Sequence, residues 1–157
     1  MITYQRETWD KAIGEIARMA PEHWREFSYF PDAAPMEIDW AMYRKYDLSG
    51  ALHCLSVRRD GRVAGYHPHV VRRHNHRKPD VLFSQDLVLY VAPGPMRVLL
   101  LDGLVRYSLD YLQRIGVKVV TMRSKLDHDI GPLLRHHGLQ PLETVYGKIL
   151  DDKKDNG

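Results

Sequence analysis

The stretch that most restricts the fold runs from residue 81 to 122. "VLFSQDLVLYV" (81–91) is apolar on both faces, with Val81, Phe83, Leu87, Leu89 and Val91 alternating against Leu82, Val88 and Tyr90. A strand of that kind belongs in the middle of a sheet covered on both sides. Ala92-Pro-Gly-Pro95 stops it, and a long amphipathic helix follows over 96–115, with Met96, Leu99, Leu100, Gly103, Leu104, Tyr107, Tyr111 and Leu112 on its apolar face. Gly116 closes the helix, and Val117-Lys-Val-Val-Thr-Met122 reads as a short buried strand. Strand, crossover helix and strand imply a parallel pair within a mixed sheet. The junction of the first strand with the helix gathers unpaired backbone N–H groups, which suit a phosphate.

The residues before this unit read first as helices and then as strands. From Thr8, placed as an N-cap, Trp9, Ala12, Ile13, Ile16 and Met19 recur at helical spacing. Pro21 is expected to interrupt that helix, leaving a second short one over 22–27. After the break at Phe30-Pro-Asp-Ala-Ala-Pro35, Met36, Trp40 and Tyr43 mark another helix, ended by Gly50. Residues 51–57 and 63–71 read as strands joined across Arg59-Asp60-Gly61-Arg62, because Asp-Gly accepts the positive φ values of a type I′ hairpin turn. Beyond residue 122 the pattern predicts a short helix over 129–137 ending at Gly138, then a closing strand over 141–150. The polar stretch 151–157 reads as a frayed tail.

The order implies a single α/β domain over 1–150, with a central mixed sheet of about five to seven strands and helices on both faces. No internal repeat, low-complexity segment or linker divides it.

Composition agrees with one globular domain: 157 residues, 44% of them hydrophobic and 27% charged. A net charge of +3 permits weak attraction to polyanions without making a nucleic-acid binder. The single cysteine, Cys54, excludes an intrachain disulfide framework and deprives a Cys-rich zinc site of ligands. The first residues, "MITYQRETWDKAIGE", carry charges where a signal peptide needs an apolar run, and no run approaches the ~18–20 apolar residues of a membrane span. A soluble, cytoplasmic protein is the expectation.

"HPHVVRRHNHRK" (67–78) is the most polar feature of the strand region. His67 and His69 fall on one strand face, while His74 and His76 fall in the following loop with Arg77 and Lys78. Zinc sites recruit Cys, Asp or further His at ordered spacing, so no metal is expected here. Arg72, Arg73, Arg77 and Lys78 admit a weak nucleic-acid contact, but the run lacks the aromatic side chains that stack on bases. A solvated hairpin end is the favoured reading. His136 and His137, just before Gly138, suit donors at a helix C-terminus. His23 and His128 are each able to relay a proton, since imidazole titrates near neutrality.

This order of elements resembles the GNAT family, the Gcn5-related N-acetyltransferases, over nearly the whole chain. The segments that carry the resemblance are "GRVAGY" (61–66), "DLVLYVAPGPMR" (86–97), "GVKVVTM" (116–122), "LLRHHGL" (133–139) and "ETVYGKIL" (143–150). The stretch "GALHCLSVRRDGRVAGYHPHVVRRH" is similar to the GNAT-like proteins of tailed bacteriophages. The resemblance implies transfer of an acetyl group from acetyl-CoA to the amine of a small molecule or a protein. It places the cosubstrate on Leu89, Val91, Gly94, Met96, Arg97 and Val98, its pantetheine arm bonding the backbone of a splayed strand and its pyrophosphate resting on the helix start. It makes Asp86 the candidate base and Tyr146 the candidate acid, and it admits a homodimer.

The loop departs from the family pattern. Gly94 is its only glycine, and Pro95 has no N–H to offer. A non-catalytic GNAT-like protein with a degenerate CoA loop, acting by contact with a protein or nucleic acid, is the alternative.

Overall fold

The structure, a computed structural model, describes residues 1–73, 76, 78 and 80–150. His74 and Arg77 of the basic loop, and the expected tail 151–157, lie outside the described residues.

One six-stranded mixed sheet runs in the order β1-β2-β3-β4-β6, with β5 also paired to β3. The strands are β1 (Ile2–Glu7), β2 (Leu52–Arg59), β3 (Arg62–Arg73), β4 (Leu82–Asp86), β5 (Tyr90–Val91) and β6 (Val117–Thr121). The helices are α1 (Trp9–Phe27), α2 (Trp40–Leu48), α3 (Arg97–Arg114) and α4 (Gly131–His136). Among the described residues only β4 and β6 run parallel, joined by the α3 crossover. The expected α/β architecture is the one observed.

Each face of the sheet has its own core. On the first, Trp9, Ala12 and Ile16 of α1 pack with Leu52, Cys54, Tyr66 and Tyr90, while Trp40 and Tyr43 of α2 close over them. On the second, Leu100 and Leu104 of α3 pack on Leu55, Val57 and Val91. Removing each such large side chain from water contributes roughly 1.5–3 kcal/mol. Gly103 lets α3 approach the sheet, because a Cβ there would run into the Tyr4 hydroxyl. The β2–β3 hairpin turns at Asp60 and Gly61 with φ of +51° and +80°, the backbone the Asp-Gly pair predicts.

Five expectations require correction. The chain starts with a strand, not a helix: β1 pairs along β2 from Ile2–Arg59 to Glu7–Cys54. Thr8 stands at the N-cap of α1, but its hydroxyl caps nothing; its carbonyl accepts from Lys11 and Ala12 instead. Pro21 does not break α1, which continues to Phe27. Proline inside a helix costs about 3 kcal/mol, and here the buried row Trp9, Ala12, Ile16 and Ala20 offsets it.

The stretch 81–91 is not one strand but two. His69 faces Asp86 and Tyr66 faces Tyr90, so three residues, 87–89, stand opposite the two residues Pro68 and His67. This is a one-residue bulge, which reverses the side-chain alternation beyond it. Asp86 therefore points to the α3 face and Tyr90 to the α1 face, although an even spacing of four would have put them together.

The fifth correction concerns the closing strand, which is absent; residues 141–150 form no strand and are exposed throughout. Leu142, Val145, Tyr146, Ile149 and Leu150 recur at steps of three and one rather than two, so an extended chain offers no single apolar face to a sheet.

Candidate functional site

The site begins where the sheet parts. β4 runs beside β6 as far as the Gln85–Thr121 pair, and beyond it β5 stays with β3 alone. The Ala92 N–H donates to the Ala64 carbonyl at 2.9 Å, so Tyr90 and Ala92 bond inward to β3. By the alternation of an antiparallel ladder, the N–H and C=O of Val91 face the opening. Leu89 is half-buried against the α3-side core. Gly65 permits the close pairing here: a Cβ on it would lie 2.7 Å from both the Tyr90 carbonyl oxygen and the Val91 Cγ2.

The opening leads to the start of α3. Gly94 holds φ at +154°, a conformation glycine adopts readily, and no side chain caps the helix. The N–H groups of its first turn, at Val98 and Leu99, are left for an anion. Met96 is half-buried and Val98 exposed. A groove beside this turn is lined by Arg59, Arg62, Gly94, Met96 and Arg97. Arg97 is turned across it toward α1. Its Nη1 lies 2.6 Å from Glu26 Oε1, and its guanidinium stands 5.7 Å from the Phe27 ring centre and 5.8 Å from that of Tyr90.

On the α1 face, the opening is walled by aromatic rings. His23 stacks on Tyr90 at 4.6 Å between ring centres, and its Nδ1 lies 2.8 Å from the Tyr66 hydroxyl. Phe27 stands edge-on to Tyr90 and packs against His128 at 4.6 Å. Burial, with the positive charge of Lys125 adding to it, lowers His23 to about 4, so its imidazole is neutral at pH 7. Burial raises Tyr66 and takes Tyr90 up to about 12. The carboxylates of Glu22 and Glu26 add to the rise at Tyr90.

On the α3 face lies a sealed polar cluster. His67, His69, Ser84, Asp86 and Ser108 are all buried. Ser108 Oγ donates to the Leu104 carbonyl at 2.7 Å, so toward His67 Nδ1, at 2.9 Å, it can only accept. His67 therefore carries its proton on Nδ1 and turns the Nε2 lone pair to Asp86 Oδ2, 4.0 Å away. Burial raises Asp86 to about 6 against the opposing bond from the Arg123 N–H. Burial keeps His67 neutral and lowers His69 to about 3. His67 Nε2, His69 Nε2 and Asp86 Oδ1 have no hydrogen-bond partner among the described residues. Asp86 also ties the parting strands together: its Oδ2 accepts from the Arg123 N–H at 3.1 Å and its carbonyl from Arg123 Nη1 at 3.2 Å.

Of the residues singled out in the sequence, Val91, Gly94, Met96, Arg97 and Val98 gather at the opening and the helix start, with Leu89 just before them. Asp86 stands at the root of the opening but under α3. Tyr146 is not brought to it: the residue is 90% exposed, and its neighbour Gly147 passes beside Phe30. His137 pairs with Asp102 at 2.8 Å, docking the end of α4 on α3. Cys54 is buried and its thiol pushed up to about 12, as suits a core side chain. The reading of the sequence missed Phe27, Tyr66, Tyr90, Glu26 and Lys125. Phe27, Tyr66 and Tyr90 share one signal, aromatic residues on α1 and on two adjacent strands; Glu26 and Lys125 carry none.

No group of three His, Cys, Asp or Glu side chains among the described residues is placed to hold a metal ion. No helix among them is long and apolar enough to cross a membrane.

No family model matches the chain, and no curated protein matches it in sequence. Solved structures match it in fold. A ribosomal-protein-alanine N-acetyltransferase from Brucella melitensis biovar Abortus superposes with a TM-score of 0.72 at 12% identity, over 98% of this chain and 99% of the other. An aminoglycoside acetyltransferase from an uncultured soil metagenomic sample, in complex with trehalose, gives 0.67 at 15% identity over 97% of each chain. A predicted acetyltransferase from Clostridium acetobutylicum, with acetyl-CoA, gives 0.66 at 8% identity over 95% of this chain and 96% of the other. The chain has the fold of the GNAT acetyltransferases.

Proposed function

We propose that the chain is an N-acetyltransferase that takes acetyl-CoA as cosubstrate and passes its acetyl group to an amine. The observation that carries this reading is the unpaired flank of β5 beside the uncapped start of α3. An extended backbone edge can bond a pantetheine arm as another strand would, and helix N–H groups favour a pyrophosphate. Val91 and Leu89 take the first role; Gly94, Met96, Arg97 and Val98 take the second. Pro95 gives no N–H, so Arg59, Arg62 and Arg97 supply charge that a glycine-rich loop would supply through backbone. Arg97 serves by leaving Glu26.

The amine approaches from the α1 face, between Phe27 and Tyr90. His23, neutral and facing that side, takes its proton. Asp86, the candidate base in the sequence, sits at the root of the opening and holds Arg123. Tyr146 serves as the acid by folding 141–150 inward past Phe30. The neighbours of similar fold act, by their names, on aminoglycosides and on a ribosomal protein alanine; for this chain we propose a small-molecule or protein amine. The phage-like stretch 50–74 places it, in our reading, with the GNAT-like proteins of tailed bacteriophages, acting in the cytoplasm as a monomer or homodimer.

Calorimetric titration with acetyl-CoA tests this. Binding is expected, and Arg97→Ala should weaken it by about tenfold, the worth of one charge-assisted contact. No heat at millimolar acetyl-CoA would sink the enzyme reading. The Arg97–Glu26 pair and Pro95 favour one rival, a GNAT-like protein that acts by contact alone, with Arg72 and Arg73 able to meet nucleic acid; that result would support it.

A further inference from the structure

The acceptor side of the opening already holds an amine of this chain. Lys125 lies in the loop after β6, and its Nζ stands 4.3 Å from the Tyr29 ring centre and 5.8 Å from that of Phe27. Phe27 is the same ring that touches His23 at 5.6 Å, Tyr90 at 6.1 Å and His128. Lys125 is the largest charged contributor to the lowered proton affinity of His23, and both side chains lie against the Phe27 ring. Asp127, in the same loop, is the charge that acts on Lys125 in turn, and burial outweighs it to lower the lysine's proton affinity. Tyr29 and Phe27 thus bind a primary alkylammonium through their ring faces, as aromatic walls do for cationic ligands.

We infer that Lys125 is an internal acceptor, acetylated by this protein's own site, and that external acceptors are primary alkylamines bound on the same Tyr29 and Phe27 faces. The inference rests on the acetyltransferase reading above. Lys125 Nζ, once deprotonated, attacks the thioester carbonyl carbon. A C–N bond forms as the C–S bond breaks, the surplus amine proton passes to His23, and the departing CoA thiolate takes up a proton. The products are N-acetyl-lysine and free CoA. Acetylation removes the charge, so the amide no longer competes with an incoming ammonium for the ring faces.

The test uses the full chain with isotopically labelled acetyl-CoA, so that acetyl groups acquired in the expression host are told apart. Label is read at each lysine by peptide mass spectrometry, alongside calorimetric binding of acetyl-CoA. Label is expected to build at Lys125 about tenfold or more faster than at exposed Lys118 or Lys148, because the reaction is intramolecular. Its rate constant should not change with protein concentration. Lys125→Arg keeps a cation on the rings but should abolish the labelling and leave acetyl-CoA affinity unchanged. A second readout needs no turnover: in 13C-methylated protein the Lys125 methyl resonance should be shifted upfield by the rings, and Tyr29→Ala should remove that shift. Binding of acetyl-CoA with Lys125 labelled no faster than the other lysines, or no ring-current shift, would overturn this inference alone. No binding of acetyl-CoA would overturn the acetyltransferase reading beneath it.

Discussion

Asp86→Asn isolates the energetic cost of the sealed carboxyl. In the folded chain Asp86 titrates near 6 rather than at 3.8, because burial disfavours its charge. A carboxyl raised on folding favours the folded state fully below its unfolded value, and that advantage is lost as pH rises through its folded value. The difference of about two units corresponds to about 3 kcal/mol once both states are ionised. Roughly half of this is already lost at pH 5, where the unfolded carboxyl is ionised and the folded one is not. Between pH 5 and 7.5 the wild type should therefore lose about 1.4 kcal/mol relative to Asp86→Asn.

The other titrating groups are common to both proteins and cancel in that difference. His67, which faces Asp86, is held neutral by burial over this range. The amide oxygen can still accept from the Arg123 N–H, and any change in packing adds a constant independent of pH. Urea unfolding of both proteins at several pH values measures the quantity. A wild-type stability, taken relative to Asp86→Asn, that stays flat across the range or falls toward acid pH would refute the assignment of a raised, buried carboxyl.

Three other perturbations have definite outcomes. Gly65→Ala places a Cβ 2.7 Å from the Tyr90 carbonyl oxygen and Val91 Cγ2, and overpacking of this kind should cost ~1–3 kcal/mol in urea unfolding. Glu7 loses proton affinity in the fold: burial would raise it, but bonds from Arg58, Ser56 and Gln5 prevail, and Glu15 is lowered chiefly by the Val63 N–H. Their stabilisation is present above 4.5 and lost as pH falls through the depressed values, so Glu7→Gln should flatten the acid limb of a pH–stability profile. Glu26→Gln frees Arg97 and should tighten acetyl-CoA about threefold to tenfold by calorimetry; weaker binding would show that Glu26 positions Arg97 rather than sequestering it.

What was legible in the sequence was local. Asp60-Gly61 specifies its turn through two backbone angles, and α3 through an apolar stripe between Pro95 and Gly116. β1 was hidden because "ITYQRE" is an edge strand, half-buried for most of its length, with no clean alternation. The bulge at 87–89 was hidden because both faces of 81–91 are apolar, so a reversal of alternation leaves no mark in composition. Pro21 misled because the local cost of proline says nothing of the packing that offsets it. Arg97 stood out as a cation at a helix start, whereas its Glu26 partner belongs to an element far away in the chain. The aromatic wall was invisible for the same reason: Phe27, Tyr66, Tyr90 and His128 meet only once α1, β3, β5 and the loop after β6 are assembled.

The bulge also explains why one group of histidines meets a carboxyl and the other an aromatic ring. Without the extra residue, Asp86 and Tyr90 would share the α3 face, and the rings that receive an amine would lose Tyr90. With it, the carboxyl goes under α3 beside His67, and Tyr90 turns to His23. The two sides remain coupled through Arg123, whose backbone and side chain both bond to Asp86. Lys125 is two residues further along the same loop. A buried carboxyl that does not touch the amine therefore still fixes the start of the loop that carries it. Asp86→Asn, which keeps an oxygen for the Arg123 N–H, should leave the Lys125 ring-current shift in place; Asp86→Ala, which removes it, should reduce that shift along with the rate of Lys125 labelling.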